Sequence, residues 1–451
     1  MNNQRRKFIK NTALGLTALS VPSLGKSFSL SAKSTLNSLN VGVIGCNGMG
    51  WGNTVSILKN EGISLIGICD VDQNVLDKRM DQANKIDPQA AKKITTYTDY
   101  RKLLENKDID IVIIGTPDHW HCKQMVDACA AGKHVYVEKP IANTIEECQL
   151  MLKAAKKYNS IVQVGQWQRS GPHYKKAIDI VQSGVLGNIR LVKVWAYQGW
   201  MKPVPKLPDT DAPAGVDYTT WLGPAPMRRF NPNRFHFNFR WFWDYAGGLM
   251  TDWGVHEIDI ALYAMQALAP KSVVASGGKL AYPDDASETP DTLQAVFEYE
   301  NFNMLWEHAT GIDHGNYGRT EGIAFIGNNG TLVVNRGGFE VLVEKQKNGW
   351  SDPGTPKMEL IDAVSRPEGV NYLDLHTANF LDAIKANNAD LLATHIQSGS
   401  IAAINAQMGN IAFKTGEKVY WNHETNRFDQ NEKANNLIKA NYHNGWEKPV
   451  I

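Results

Sequence analysis

The sequence predicts an α/β fold in two parts: a doubly wound parallel sheet over residues 38–165, then an α+β domain on a mostly antiparallel sheet over residues 166–420. Three observations predict it. Between residues 39 and 165, short apolar strands alternate with helical segments, the pattern of βαβ units. A glycine-rich turn follows the first of those strands directly. Beyond residue 165 the strands lengthen and alternate in polarity, as in a sheet with one covered face. Length agrees, because 451 residues exceed what one hydrophobic core supports.

Read in order, the chain begins with a basic leader, residues 1–34. Arg5-Arg6-Lys7-Phe8 precedes a short, mildly apolar stretch from Thr12 to Leu24, which resembles a twin-arginine export signal. That stretch is too short and interrupted to span a bilayer. The expectation is therefore a folded, periplasmic protein with no membrane association after export. Leu39 to Gly45 is a buried strand entering the glycine turn, residues 51–60 read as a helix, and Ile63 to Cys69 as a second strand closed by Asp70. Helical segments at 72–86, 99–106, 119–131 and 144–158 alternate with strands at 94–97, 109–114, 134–137 and 161–164. Long alternating strands follow at 189–197, 292–299, 302–308, 321–326 and 331–334, with few helices expected between them. Residues 198–240, rich in Pro, Asn, Arg and aromatics, read as a long ordered loop, which inside a compact domain is usually functional. A helix at 372–387 and a polar tail at 421–451 complete the chain.

Composition excludes some functions. With 43% hydrophobic and 21% charged residues the chain is neither disordered nor fibrous. The formal net charge is +1; without the six basic residues of the leader, which contains no acid, it becomes −5. Neither value suggests a nucleic acid partner. Five cysteines, at 46, 69, 122, 129 and 148, form no Cys-x-x-Cys pair, so they read as buried thiols and no metal site is expected.

Three motifs carry chemistry. In Gly45-Cys46-Asn47-Gly48-Met49-Gly50, a strand precedes and a helix follows, so backbone amides and a helix N-terminus can hold a pyrophosphate. Asn47 stands where a dinucleotide turn has its middle glycine and is expected to take a left-handed backbone. Asp70, at the end of the second strand, suits ribose hydroxyls and repels a 2′-phosphate, and no arginine follows within several residues, so NAD is expected and NADP disfavoured. The second motif, Glu138-Lys139-Pro140, ends a strand of the parallel sheet, where ligands sit. There the lysine is either a surface residue before a turn or a proton-transfer group. In the third, Gly247-Gly248 lead into Asp252 and His256, four apart and expected on one face of one helix with the carboxylate in its first turn. They are either a structural pair or a means of orienting a hydroxyl and moving its proton.

These motifs, with Gly115-Thr116-Pro117-Asp118-His119 and Ile258-Asp259, resemble the Gfo/Idh/MocA oxidoreductase family over about residues 39–420. The resemblance implies an N-terminal Rossmann domain, bound NAD(P), and a C-terminal domain on a large, open sheet that serves for homo-oligomerisation. It implies Lys139, Asp252 and His256 as the catalytic group. The cofactor would be held by Gly45, Asn47, Gly48, Met49, Gly50, Asp70, Thr116, Pro117, His119, Glu138, Lys139 and Gln166. The tryptophans and other aromatics between Trp195 and Trp253 suggest stacking on sugar C–H faces, although core packing accounts for many such rings. Trp195, Arg169, Arg240, Asp252 and His256 are the expected substrate contacts.

The leading expectation is an NAD-dependent oxidoreductase acting on a secondary alcohol of a sugar or cyclitol, with tightly held cofactor. A second is an NAD-dependent glycoside hydrolase working by transient oxidation and elimination; relatives of that kind replace the lysine that Lys139 retains. A third is a protein that binds NAD and sugar without turnover.

Overall fold

The computed structural model describes residues 38–451, so the leader and its expected export signal lie outside the described residues. The first sheet comprises β1 (Leu39–Ile44), β2 (Ile63–Cys69), β3 (Thr95–Tyr97), β4 (Ile111–Ile114), β5 (His134–Val137) and β6 (Val162–Val164), in the order β3-β2-β1-β4-β5-β6 and parallel throughout. All four residues of β4 are buried, which is why its sequence is an unbroken Ile-Val-Ile-Ile run. The chain leaves β1 toward β2 and β3, then returns to β4 on the other side. That reversal opens a crevice at the carboxyl ends of β1 and β4.

The helices of this part are α1 (Gly48–Ile57), α2 (Gln73–Ile86), α3 (Tyr100–Glu105), α4 (Asp118–Ala130) and α5 (Ile145–Tyr158). Helix α1 starts three residues earlier than its sequence suggests. Glycines 48, 50 and 52 weaken the helical signal there, but contact with β1 and β4 overrides propensity.

The second sheet has ten strands: β7 (Leu191–Gln198), β8 (Ser272–Gly278), β9 (Thr292–Glu298), β10 (Asn303–Thr310), β11 (Glu321–Ile326), β12 (Gly330–Asn335), β13 (Gly338–Val343), β16 (Val364–Ser365), β17 (Val419–Asn422) and β18 (Arg427–Phe428). A separate ribbon pairs β14 (Lys345–Gln346) with β15 (Thr355–Pro356). The large sheet runs β16-β13-β12-β11-β7-β10-β9-β8-β17-β18, and within it the β7–β10 pair is parallel. On its inner face Val192, Val194, Met304, Trp306, Ile323, Phe325 and Leu332 pack with α6 (Pro172–Ser183), α8 (Gly254–Met265, after the short α7, Gly248–Asp252) and α10 (Ile396–Thr415). Helices are thus more numerous here than expected.

Between α8 and α10, α9 (Tyr372–Lys385) crosses back to the first sheet, where Phe380, Leu381 and Ile384 share a core with Val41, Val43, Ile111 and Tyr136. The tail does the same: Ala440 N donates to Glu146 Oε2 at 2.7 Å, Tyr442 Oη to Glu147 Oε1 at 3.0 Å, and Trp446 meets Trp120 edge-on at 4.8 Å. Helix α9 and the tail therefore tie the second part of the chain onto the first sheet, while each sheet keeps its own core. No helix of the described residues is long and apolar enough to cross a membrane.

Candidate active site

The glycine turn forms the floor of the crevice. Gly45 (φ +81°) and Gly48 (φ +44°) adopt the left-handed backbone that glycine takes without strain. Asn47 does not: at φ −93° and ψ 168° it is extended and caps α1, which corrects the left-handed expectation. Its amide Oδ1 accepts from Arg79 at 3.3 Å, and its Nδ2 lies 3.4 Å from His236 Nδ1. A Cβ on Gly50 would strike the carbonyl of Gly45, and one on Gly115 would strike Gly50. These glycines let α1, β1 and the turn after β4 touch through bare backbone, leaving the α1 amides open to an anion.

Above the turn lies a cleft of about 1260 Å³ including its mouth, lined by Gly45, Asn47, Gly48, Met49, Asp70, Thr116, Pro117, Glu138 and Lys139 from the first domain. Trp221, Phe235, His236, Phe237, Phe239 and Arg240 close it from the long loop, which the structure shows to be ordered and to contain a short helix at Tyr218–Leu222. His236 Nε2 sits 3.1 Å from Asp72 Oδ2, which pins the loop across the β2 end of the crevice. Asp70 accepts from Cys46 N at 2.8 Å and from Asp72 N at 3.1 Å, while burial pushes its carboxyl above the usual range. Lone pairs remain on Asp70 for ribose hydroxyls. Arg79, nine residues further on, turns back and donates through Nε to Cys46 O at 2.7 Å, so a cation does stand behind the turn.

At the other end of the cleft the charged groups converge. Glu138 is buried, pushed upward by that burial, and accepts from Asn53 at 2.7 Å. Lys139 Nζ donates to Asp252 Oδ1 at 2.7 Å and to Asp252 O at 3.0 Å. Arg240 Nε is 3.3 Å from the same Oδ1. Burial would raise the Asp252 carboxyl, but Lys139 and Arg240 outweigh it and hold it at about 2. The structure corrects the single-helix expectation: Asp252 ends α7 and His256 lies in the first turn of α8. Two cations, rather than a helix N-terminus, therefore stabilise the carboxylate. His256 is buried and held well below its ordinary value, first by desolvation and then by the charges of Lys139 and Arg336; its Nδ1 has no partner among the described residues.

Some expected residues stand elsewhere. Trp195 is fully buried on the outer face of the large sheet, donating Nε1 to Arg319 O at 2.8 Å, because alternate residues of β7 face opposite ways and Val194 and Ala196 take the inner face. It has no exposed ring for a sugar. Arg169 is committed to both oxygens of Asp259, each at 2.7 Å, so it braces α8 instead of meeting substrate. His119 points away from the cleft to Trp221 O at 3.1 Å; His121, two residues on, lines the cleft instead. Gly50 serves packing. Gln166 is buried behind the cleft, donating to Val255 O at 3.1 Å, with Oε1 unpartnered.

Sequence reading missed Asp118, His121, His236 and Arg336. Asp118 lines the cleft, and burial pushes its carboxyl to about 8 despite Arg240 and Lys139 nearby. The position after the Thr116-Pro117 turn was the available signal. The other three depend on contacts between distant segments.

The residues present fit a nicotinamide dinucleotide: a turn whose glycines let α1, β1 and the turn after β4 meet backbone to backbone, an acid at the end of β2, and a cleft directly above them. Solved structures of the same fold include a levoglucosan dehydrogenase in complex with NADH and levoglucosan (19% identity, 85% of this chain and 99% of that one, TM-score 0.62). Another is aldose-aldose oxidoreductase from Caulobacter crescentus complexed with glycerol (18%, 85% and 99%, TM-score 0.60). Among curated proteins, a glycosyl hydrolase family 109 protein of Shewanella sp. (strain MR-4) is 32% identical over 204 residues, and an alpha-N-acetylgalactosaminidase of Shewanella oneidensis is 32% identical over 207. Each of these alignments spans 42% of this chain and 44% of the relative. Residues 39–166 match the model of an oxidoreductase family with an NAD-binding Rossmann fold, and residues 171–300 match that family's C-terminal alpha/beta domain. With both domains matched in order and the cradle in place, the chain belongs to the Gfo/Idh/MocA oxidoreductase family.

Proposed function

We propose that this protein is an NAD-dependent oxidoreductase that oxidises a secondary alcohol of a sugar or cyclitol, with Lys139, Asp252 and His256 as its catalytic group. One observation carries the reading: the Lys139 amine, in the cleft, is bound to Asp252 at 2.7 Å, just before the helix that carries the buried His256 imidazole. Bound in the cleft, NAD supplies the hydride-accepting ring carbon. Asp252, kept ionised, fixes the Lys139 amine so that it can donate to the substrate oxygen. His256, kept neutral by burial and two neighbouring cations, takes the proton that this oxygen loses. The long loop lines the cleft with the apolar rings of Phe235, Phe237 and Phe239. Lys139→Ala should lower turnover by roughly 10²–10⁴-fold while leaving bound nicotinamide in place; unchanged turnover would remove lysine from the mechanism.

The same reading extends to export and assembly. The Arg5-Arg6 leader suits passage of a folded, cofactor-loaded protein to the periplasm. Because the periplasm makes no NAD, the cofactor would be recycled between two substrates, and sugar added to purified protein should change nicotinamide absorbance without added NAD. Exposed Val274, Val296 and Leu342 on the large sheet support a homo-oligomer through that face. Similarity to glycosyl hydrolase family 109 proteins favours a second reading, glycoside cleavage through transient oxidation. Release of an aryl alcohol from an aryl glycoside with no net NADH would establish it in place of the first.

A further inference from the structure

Three cations surround the segment that carries Asp252 and His256. Lys139 and Arg240 share the one carboxylate of Asp252. A third cation, Arg336, comes from the turn between β12 and β13. Its guanidinium carbon lies 4.5 Å from the ring centre of Trp167 and 4.4 Å from that of Trp253. Both rings flank His256, at 6.0 and 6.2 Å between centres. Stacked between two indoles, the guanidinium is confined to one plane.

One edge of that plane is used. Nε and Nη2 donate to Gln168 Oε1 at 3.1 and 3.0 Å. Gln168 is buried and in turn donates to Glu257 Oε1 at 3.2 Å. Burial lifts the Glu257 carboxyl to about 8 against the opposing pull of Arg336. The Nη1 edge has no partner among the described residues. Trp167, Trp253 and Arg336 each keep part of their surface exposed.

We infer that Arg336, clamped between Trp167 and Trp253, is a carboxylate-recognition subsite and that the substrate is a sugar acid. This rests on the oxidoreductase reading above. A guanidinium edge meets a planar carboxylate with two parallel hydrogen bonds. The sugar ring then lies against the indole edges, its reacting carbon toward His256 and Lys139.

The test is isothermal titration of the NAD-loaded full chain with D-glucuronate against D-glucose, D-galacturonate against D-galactose, and glucose 6-phosphate. Each uronate should bind roughly ten- to a hundredfold more tightly than its hexose, the range for a charged hydrogen-bonded contact. R336M should erase this preference and R336K should keep part of it. Uronates that bind no better than hexoses in the unaltered protein would overturn the inference, as would tighter binding of the phosphate or an R336M variant with the preference intact. A uronate preference lost in R336M, with no nicotinamide reduced by any sugar, would uphold the subsite and overturn the oxidoreductase reading. Reduction by hexoses with no uronate preference would do the reverse.

Discussion

Replacing Asp252 with asparagine removes the one carboxylate that Lys139 and Arg240 share, while nearly preserving shape. Holding that carboxyl at about 2 instead of 3.8 corresponds to roughly 2.5 kcal/mol of stability at neutral pH. Because the folded-state value is depressed, this contribution is complete above the ordinary aspartate value. It disappears as pH falls through about 2. Asp252→Asn should therefore lower the urea midpoint at pH 7, and the gap from the unaltered protein should begin to narrow below about pH 4. Turnover should fall with it, since the Lys139 amine loses its anchor. Urea unfolding followed by tryptophan fluorescence, across a pH series, measures the first effect. A variant as stable as the parent at pH 7, or more stable, would show that desolvation outweighs pairing here and refute the electrostatic account.

Three further outcomes follow from the same geometry. Gly50→Ala places a methyl on the Gly45 carbonyl, so it should lower Tm and strip bound nicotinamide together, as thermal melts and mass spectrometry of released small molecules would show. Asp118→Asn should stabilise the cofactor-free protein: its carboxyl, raised to about 8, costs increasing stability as pH climbs from about 4 to 8, so the gain in Tm should be greater at pH 8 than at pH 5. Trp446→Ala removes the ring that meets Trp120 at 4.8 Å and Tyr100 at 6.4 Å, two walls of the cleft, so affinity for NAD should fall while any bound substrate is still turned over. Equal loss of both would place Trp446 in general stability instead.

Much of the first domain was legible in the amino-acid order. Strands buried on both faces must be apolar runs, and a turn that lets backbone meet backbone must be glycine, so β1, β4 and the Gly45–Gly50 turn announce themselves. Helix α10 did not, because it is buried nearly all round and carries no amphipathic stripe. Strands β8 and β13 begin or end in glycine, which masks their alternation. The Lys139–Asp252 pair was readable because each member sits in its own local motif. Arg169 and Trp195 were misplaced because residue type alone suggested sugar contact, whereas a partner 90 residues away and the parity of a strand decide where those side chains go. His236 and Arg336 owe their positions to the approach of distant segments, which no local pattern records.

The central claim is that a nicotinamide dinucleotide lies across the first sheet with its reactive ring between Lys139 and His256. A crystal structure of the protein grown with NADH tests it most directly. The account predicts the pyrophosphate on the amides of Gly48 and Met49, the adenosine ribose on Asp70, and the nicotinamide ring against the Lys139 amine. A dinucleotide bound elsewhere, or with its nicotinamide ring turned away from that amine, would contradict it.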